Sequence, residues 1–341
     1  MGDSTNLGGV YTLMDVINDY TSLDAKGQYI WAAKVMAKKC PFVRDMPMVP
    51  SNQIMSNIGS RESYIPTPGT RRFNEGVSLS ASHSTPFTDP IAMVEDYSEV
   101  DWALWKIQND PNKWRQSKDA AKVEGMTQKM EDLIIYGSLT TDPGAFNGLA
   151  TRFNSTTMRP NSSTDAPYNV VSAKGSGSDT TSLYAIEWGE NKIYGTYPKN
   201  LPGGLQIEDL GKHTKNTNTE AAPKYLEVLR SHFTWYMGLV VEDERSVQRM
   251  VNIEVSGTEN TLDLSILVQL INQLPSMGNA PGTRIYCPLS IKTQFDILAL
   301  DKNNAYFTQD AQGDVWGRRV TRFQGIPIEV AEMIDITETA I

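Results

Sequence analysis

The sequence predicts an α+β chain. Three stretches carry that prediction: a long amphipathic helix over 111–136, β-rich segments from 181 to 241, and two shorter helices around a strand between 261 and 304. Helices packed on sheet strands define this class. With 341 residues, 40% of them hydrophobic, the chain is long enough for two regions with cores of their own.

Residues 1–50 read as an arm. VYTLMDVINDY and YIWAAKVMAKK each suit a short helix, after which Pro41, Pro47 and Pro50 forbid a long element. An ordinary N-terminal subdomain is the alternative. Residues 51–98 are poor in apolar side chains. Pro66-Thr67-Pro68-Gly69 is a turn signal, with Tyr64 and Ile65 before it and Phe73, Val77 and Leu79 after it in strand-like alternation. A two-stranded hairpin is marginal alone in water, so this ribbon needs support from outside itself. Arg71 and Arg72 near its tip suit carboxylates there, or solvent. Trp102 and Trp105, three apart, are expected to pack on one face as core.

The helix over 111–136 has Asn109 or Asp110 as its cap and Pro111 where a missing N–H is harmless. Trp114, Val123, Met126, Met130, Leu133 and Ile134 fall on one face. Lys113, Arg115, Lys118, Asp119, Lys122, Glu124, Lys129 and Glu131 are expected to face solvent or a partner. At 1.5 Å per residue the rod is about 39 Å long, enough to span a molecule. Gly137 stops it, and Asp142-Pro143-Gly144 turns the chain.

Residues 154–180 are polar, and Gly-Ser-Gly-Ser-Asp at 175–179 reads as a flexible connector. SLYAIEW and KIYGTYP, separated by Gly189-Glu190-Asn191, read as a hairpin, and Pro202-Gly203-Gly204 as a tight turn. The polar run after Gly211 reads as loop, and 225–241 as a long strand covered on both faces. Asp243, Arg245 and Arg249 could form an ion-pair network. A helix capped by Thr258 or Thr261 follows, with Leu264, Leu267, Val268 and Ile271 inward, closed by Pro275. Then come a buried strand at Arg284–Cys287, a helix with Ile291, Phe295, Leu298 and Ala299 inward, and a closing strand, turn and strand.

A net charge of −9 argues against a protein that grips nucleic acid by its phosphates. Cys40 and Cys287 make neither a disulfide framework nor a zinc motif. The start is not a signal peptide, and no apolar run is long enough to span a membrane. His83, His213 and His232 are isolated, phosphate-loop and dinucleotide glycine patterns are missing, and Gly175-Ser176-Gly177 is not a nucleophile elbow. The expectation is therefore no catalytic, cofactor-binding or metal-ligating residues and no cofactor. The rival reading is a soluble α+β enzyme or ligand-binding protein with its site in 154–222.

Four segments carry a resemblance: the helix running into LIIYGSLTTDPGAFNGL, then WGENKIYGTYPKNLPGGLQIEDLG, then WYMGLVVEDERSVQRMVNI, and the closing FQGIPIEV. Together they resemble the major capsid proteins of tailed double-stranded-DNA bacteriophages, of podovirus-like type with the HK-ninety-seven-type fold. The resemblance implies an N-terminal arm (1–50), an extended hairpin loop (51–98), a peripheral domain on the spine helix (99–180, completed by part of 305–341) and an axial domain (181–304). It implies a non-enzymatic shell protein that forms hexamers and pentamers of an icosahedral head, assembled in the bacterial cytoplasm and resident in the virion. The implied partners are other copies of the chain, a separate scaffolding protein, a portal protein, a cement or decoration protein, and packaged DNA touched only weakly and non-specifically. The residues expected at subunit contacts are Tyr64, Arg71, Arg72 and Phe73 in the loop and Asp243, Arg245 and Arg249 in the axial region.

Overall fold

A computed structural model describes residues 40–64, 66–160, 167–216, 224–257, 259–299, 307–308 and 322–341. The two helices expected within 1–39 lie outside them. The described residues group into two compact units, one within 93–129 and 204–236, the other within 40–92, 130–203 and 237–341.

In the first unit, β4 (Ala92–Asp101) leads through α2 (Trp102–Ile107) to α3 (Pro111–Tyr136), whose later turns belong to the second unit. The spine helix has the bounds its sequence predicts. Asp110 caps it, its carboxylate accepting from the Lys113 N–H at 3.2 Å. β8 (Gly204–Asn216) runs antiparallel to β9 (Tyr225–Val241) over Tyr225–Tyr236, and β4 is another neighbour of β9. The polar residues 212–216, read as loop, are therefore strand: the long β9 offers their backbone a ladder that outweighs their weak propensity. Trp102 and Trp105 stack at 4.8 Å but stay half-buried, and Trp105 flanks the small core of Val100 and Trp114 instead of filling it.

Charge ties this unit together where apolar contact is scarce. Arg115 of α3 grips Asp209 of β8 with both guanidinium nitrogens (2.6 and 3.0 Å) and also donates to the Ser231 hydroxyl of β9. Lys122 pairs with Asp96, and Glu99 accepts from Arg230 and Lys215.

The second unit holds a seven-stranded sheet in the order β12-β13-β14-β11-β6-β10-β5. Its members are β5 (Val170–Ser172), β6 (Thr180–Glu187), β10 (Val247–Glu254), β11 (Thr283–Cys287), β12 (Phe307–Thr308), β13 (Arg322–Phe323) and β14 (Ile326–Val330). β5–β10 and β11–β14 are parallel; the other pairs are antiparallel. β6 is buried along its whole length, with β10 on one edge and β11 on the other. That occupancy explains why the expected 182–198 hairpin does not form. With both edges of β6 taken, β7 (Ile193–Tyr197) pairs instead with Gly238–Val241 of β9 and, in parallel, with β1 (Met48–Pro50).

One face of the sheet packs on α5 (Leu264–Gln273) and α6 (Leu289–Ala299). Leu267, Leu270, Ile271, Ile291 and Phe295 meet Leu183, Ala185, Ile285 and Cys287 there. The cap of α5 is Asp263, whose carboxylate accepts from Ser265 N–H, instead of either predicted threonine. On the alternate residues, Tyr184 and Tyr286 meet Phe42 of α1 (Pro41–Asp45), with Phe42 stacked on Tyr286 at 4.0 Å.

Two close approaches shape the turn between the spine and α4 (Leu149–Arg152). A Cβ on Gly137 would lie 2.4 Å from the carbonyls of Leu133 and Phe146, and one on Gly148 only 2.7 Å from the Leu133 carbonyl. Only glycine lets the Gly148 N–H reach the Gly137 carbonyl at 2.8 Å. The 175–179 run is likewise held. Gly175 N–H donates to the Asn252 carbonyl, where a Cβ would sit 2.5 Å away, so it is no flexible connector.

Candidate assembly surfaces

The predicted hairpin exists but is built differently from its expected form. β2 (Ser56–Tyr64) pairs with β3 (His83–Pro90) through Ser56↔Pro90 to Tyr64↔His83. Strand does not resume at Phe73: alternation over 73–79 finds no partner strand among the described residues, so the connection is much longer than the Pro-Gly turn implied. Every residue from 67 to 86 is exposed. Phe73 is 97% exposed and Leu79 102%, beside exposed Arg71, Arg72 and Val77. Full hydration of two large apolar side chains withholds about 1.5–3 kcal/mol each that burial would supply. Tyr64 ends β2.

The helices of the second unit differ in what they show to water. α5 exposes Ser265, Gln269 and Asn272, as a surface helix should. α6 exposes Leu289, Thr293 and Ile297, a stripe at spacings of four, with both aliphatic residues 60% exposed. The neighbouring Lys292 and Asp296 neutralise each other at 2.6 Å, so no charge interrupts it.

The three axial residues separate. Asp243 and Arg245 form a pair within one turn at 2.8 Å, with Asp243 also accepting from the Arg245 N–H. The Arg245 side chain stays largely exposed, and the Asp243 carboxylate beside it raises its pKa. Arg249 is no part of that pair, because β10 points it inward. It is 2% exposed and donates to the Phe153 carbonyl (2.7 Å), the Ser182 hydroxyl and Glu338 (3.1 Å). Its guanidinium lies 5.4 Å from the Tyr184 ring centre. Glu338 in turn accepts from Tyr136 at 2.6 Å and from Ser182, so the C-terminal segment, the spine and the sheet share one carboxylate. Burial, with Glu338 adding, pushes the Tyr136 phenol far up, so it stays a neutral donor. Sequence reading missed Glu338 because its partners lie 89 to 202 residues away.

Glu131, expected to face out, is fully buried. Its two oxygens accept from the Phe42 and Val43 N–H groups at 3.3 and 3.0 Å, capping α1, whose own cap residue Cys40 supplies no side-chain bond. Burial pushes its carboxyl up to about 7, against the pull of those two donors.

Among the described residues, no cluster of three His, Cys, Asp or Glu side chains could hold a metal ion, and no helix is long and apolar enough to cross a membrane. Burial pushes the Cys287 thiol up to about 12. The 154–222 stretch of the rival reading contributes β5, β6, β7 and β8 to the two units.

A family model for major capsid protein GP7 matches residues 24–341. The chain belongs to the major capsid protein GP7 family. Solved structures agree on the fold. A chain of bacteriophage Epsilon15 is similar with a TM-score of 0.69 and 24% identity, over 100% of this chain and 98% of that one. The bacteriophage JBD30 capsid is similar with a TM-score of 0.51 and 10% identity, over 95% of this chain and 99% of that one. A comparison with curated protein sequences finds no match. The capsid protein thus has the HK-ninety-seven-type α+β fold, is a structural component of a tailed-phage virion, and assembles with copies of itself. The enzyme alternative finds no support in the family or the fold.

Proposed function

We propose that the capsid protein closes an icosahedral head from hexamers and pentamers, each copy laying its hairpin tip on a neighbour. The exposed Phe73 and Leu79 carry this reading, since a monomer gains nothing from hydrating them. Arg71 and Arg72 meet carboxylates on an acidic neighbour of the same sequence, and Tyr64 lies at the edge of the contact. Asp243 and Arg245 form a second, polar contact, and the α6 stripe is a further apolar face for another copy. Contacts of modest strength suffice, because each later one in a ring is effectively intramolecular. The regions read from the sequence serve as arm (1–50), hairpin loop (51–98), peripheral domain (99–180) and axial domain (181–304). A separate scaffolding protein, a portal and a cement protein complete the head in the bacterial cytoplasm, and packaged DNA is touched weakly by this acidic wall.

The test replaces the tip. Phe73→Asp with Leu79→Asp is expected to leave a folded subunit, because both side chains are already in water, and to abolish head formation in electron micrographs. Normal heads from this variant would remove the tip from the contact.

A further inference from the structure

We propose that Arg61 sets the pitch of the hairpin and thereby the curvature with which copies join. It is a positioning residue for assembly that touches no neighbour itself. This rests on the tip being the contact, as above.

The hairpin is fastened to its own unit part-way along its length, Arg61 being the sixth of the nine residues of β2. Arg61 Nη1 pairs with Glu244 at 2.9 Å, Nε donates to the Glu242 carbonyl at 3.2 Å, and Nη2 donates to the Val241 carbonyl. Three guanidinium nitrogens thus hold three residues, 241, 242 and 244, at and just past the end of β9. The guanidinium also lies 4.3 Å from the Phe87 ring centre, and Phe87 covers Gly59, where a Cβ would be 2.2 Å from the ring. One arginine therefore clamps both hairpin strands to one anchor. Two further ties repeat the pattern lower down. Arg152 holds Asp89 at 2.7 Å while donating to the Leu239 carbonyl, and Asn57 bonds the Tyr194 hydroxyl, which donates to Glu242.

Beyond Arg61 the ladder ends within two pairs, Glu62↔Ser84 and Tyr64↔His83. The register shifts between Glu62 and Tyr64, and every residue from 67 to 86 is exposed. From Arg61 to the ladder's end at Tyr64 is about 10 Å, so a tilt of about 10° at the clamp would carry that end by roughly 2 Å and the residues beyond it further. That is enough to separate side chains in van der Waals contact. A fork that fixes three acceptors at once resists tilt in a way that a single lysine contact does not.

The experiment uses the full-length chain produced with the other head proteins of its phage, and compares Arg61→Ala, Glu244→Ala and the tip variant Phe73→Asp/Leu79→Asp. Circular dichroism and thermal melting report folding; electron microscopy reports particle form. Both clamp variants are expected to fold and assemble, but to shift the product from one diameter to a mixture of heads, spirals and flat sheets. The tip variant should give no particles. Uniform heads of native diameter from the clamp variants, with the tip variant failing, would overturn the role of Arg61 alone. Native heads from the tip variant would overturn the contact and this inference with it. A folded Arg61→Ala chain that makes no particles would place Arg61 in the contact itself, overturning the positioning role. Should Arg61→Ala not fold, Glu244→Ala decides, since it leaves both carbonyl bonds in place.

Discussion

Glu131 should make this subunit less stable as pH rises towards neutrality, against the usual behaviour of acidic groups. Its folded pKa of about 7 lies above the ordinary 4.5 because burial disfavours the carboxylate. Between those values the folded chain holds a proton that the unfolded chain has released. Its contribution is therefore complete below pH 4.5 and lost as pH climbs to about 7. At 1.36 kcal/mol per pH unit the loss is about 3 kcal/mol. Glu131→Gln removes the titration and leaves one of the Phe42 and Val43 N–H groups without its acceptor, at about 1–3 kcal/mol. Denaturant unfolding of the unassembled subunit, followed by tryptophan fluorescence from pH 4 to 8, gives the comparison. The stability of wild type relative to Glu131→Gln should fall by about 3 kcal/mol as pH rises through this window and then level off. Curves that stay parallel over the whole range would refute the argument, because a carboxylate satisfied by its two donors would already be charged at pH 5.

Arg249→Ala should destabilise the second unit by about 3–5 kcal/mol, because it strands Glu338 among Tyr136 and Ser182; differential scanning calorimetry of the subunit would show it. Gly137→Ala should prevent soluble expression, since its Cβ would meet two backbone carbonyls that cannot step aside. The first unit should respond to acid with the sign opposite to Glu131. Burial acts to raise Glu99, but Lys215 and Arg230 outweigh it and hold it below the ordinary range, and Arg115 does the same for Asp209. Their stabilisation is present above the ordinary carboxylate range and lost as pH falls through the depressed values, so amide protection, measured against the intrinsic rate at each pH, should fall in β8 and β9 before it falls in β6 and β10.

Much of the architecture was legible because it is local. The spacing of Trp114, Met126, Met130 and Ile134, a capping Asp110 and the stop at Gly137 determine the spine without reference to anything distant. The same holds for the length of β9 and for the inward faces of α5 and α6, where periodicity alone selects the buried residues. The exposed tip was also foreseeable, since residues 51–98 carry too little apolar surface to bury themselves. Tertiary structure decided which strand edges were free and which charges went inside. β7 left its neighbour in sequence because β10 and β11 already occupied β6, and Arg249 and Glu131 turned inward because groups 89 residues away supply their bonds. A charged side chain reads as surface in any local window. Only the assembled fold shows that a carboxylate or a carbonyl waits for it inside.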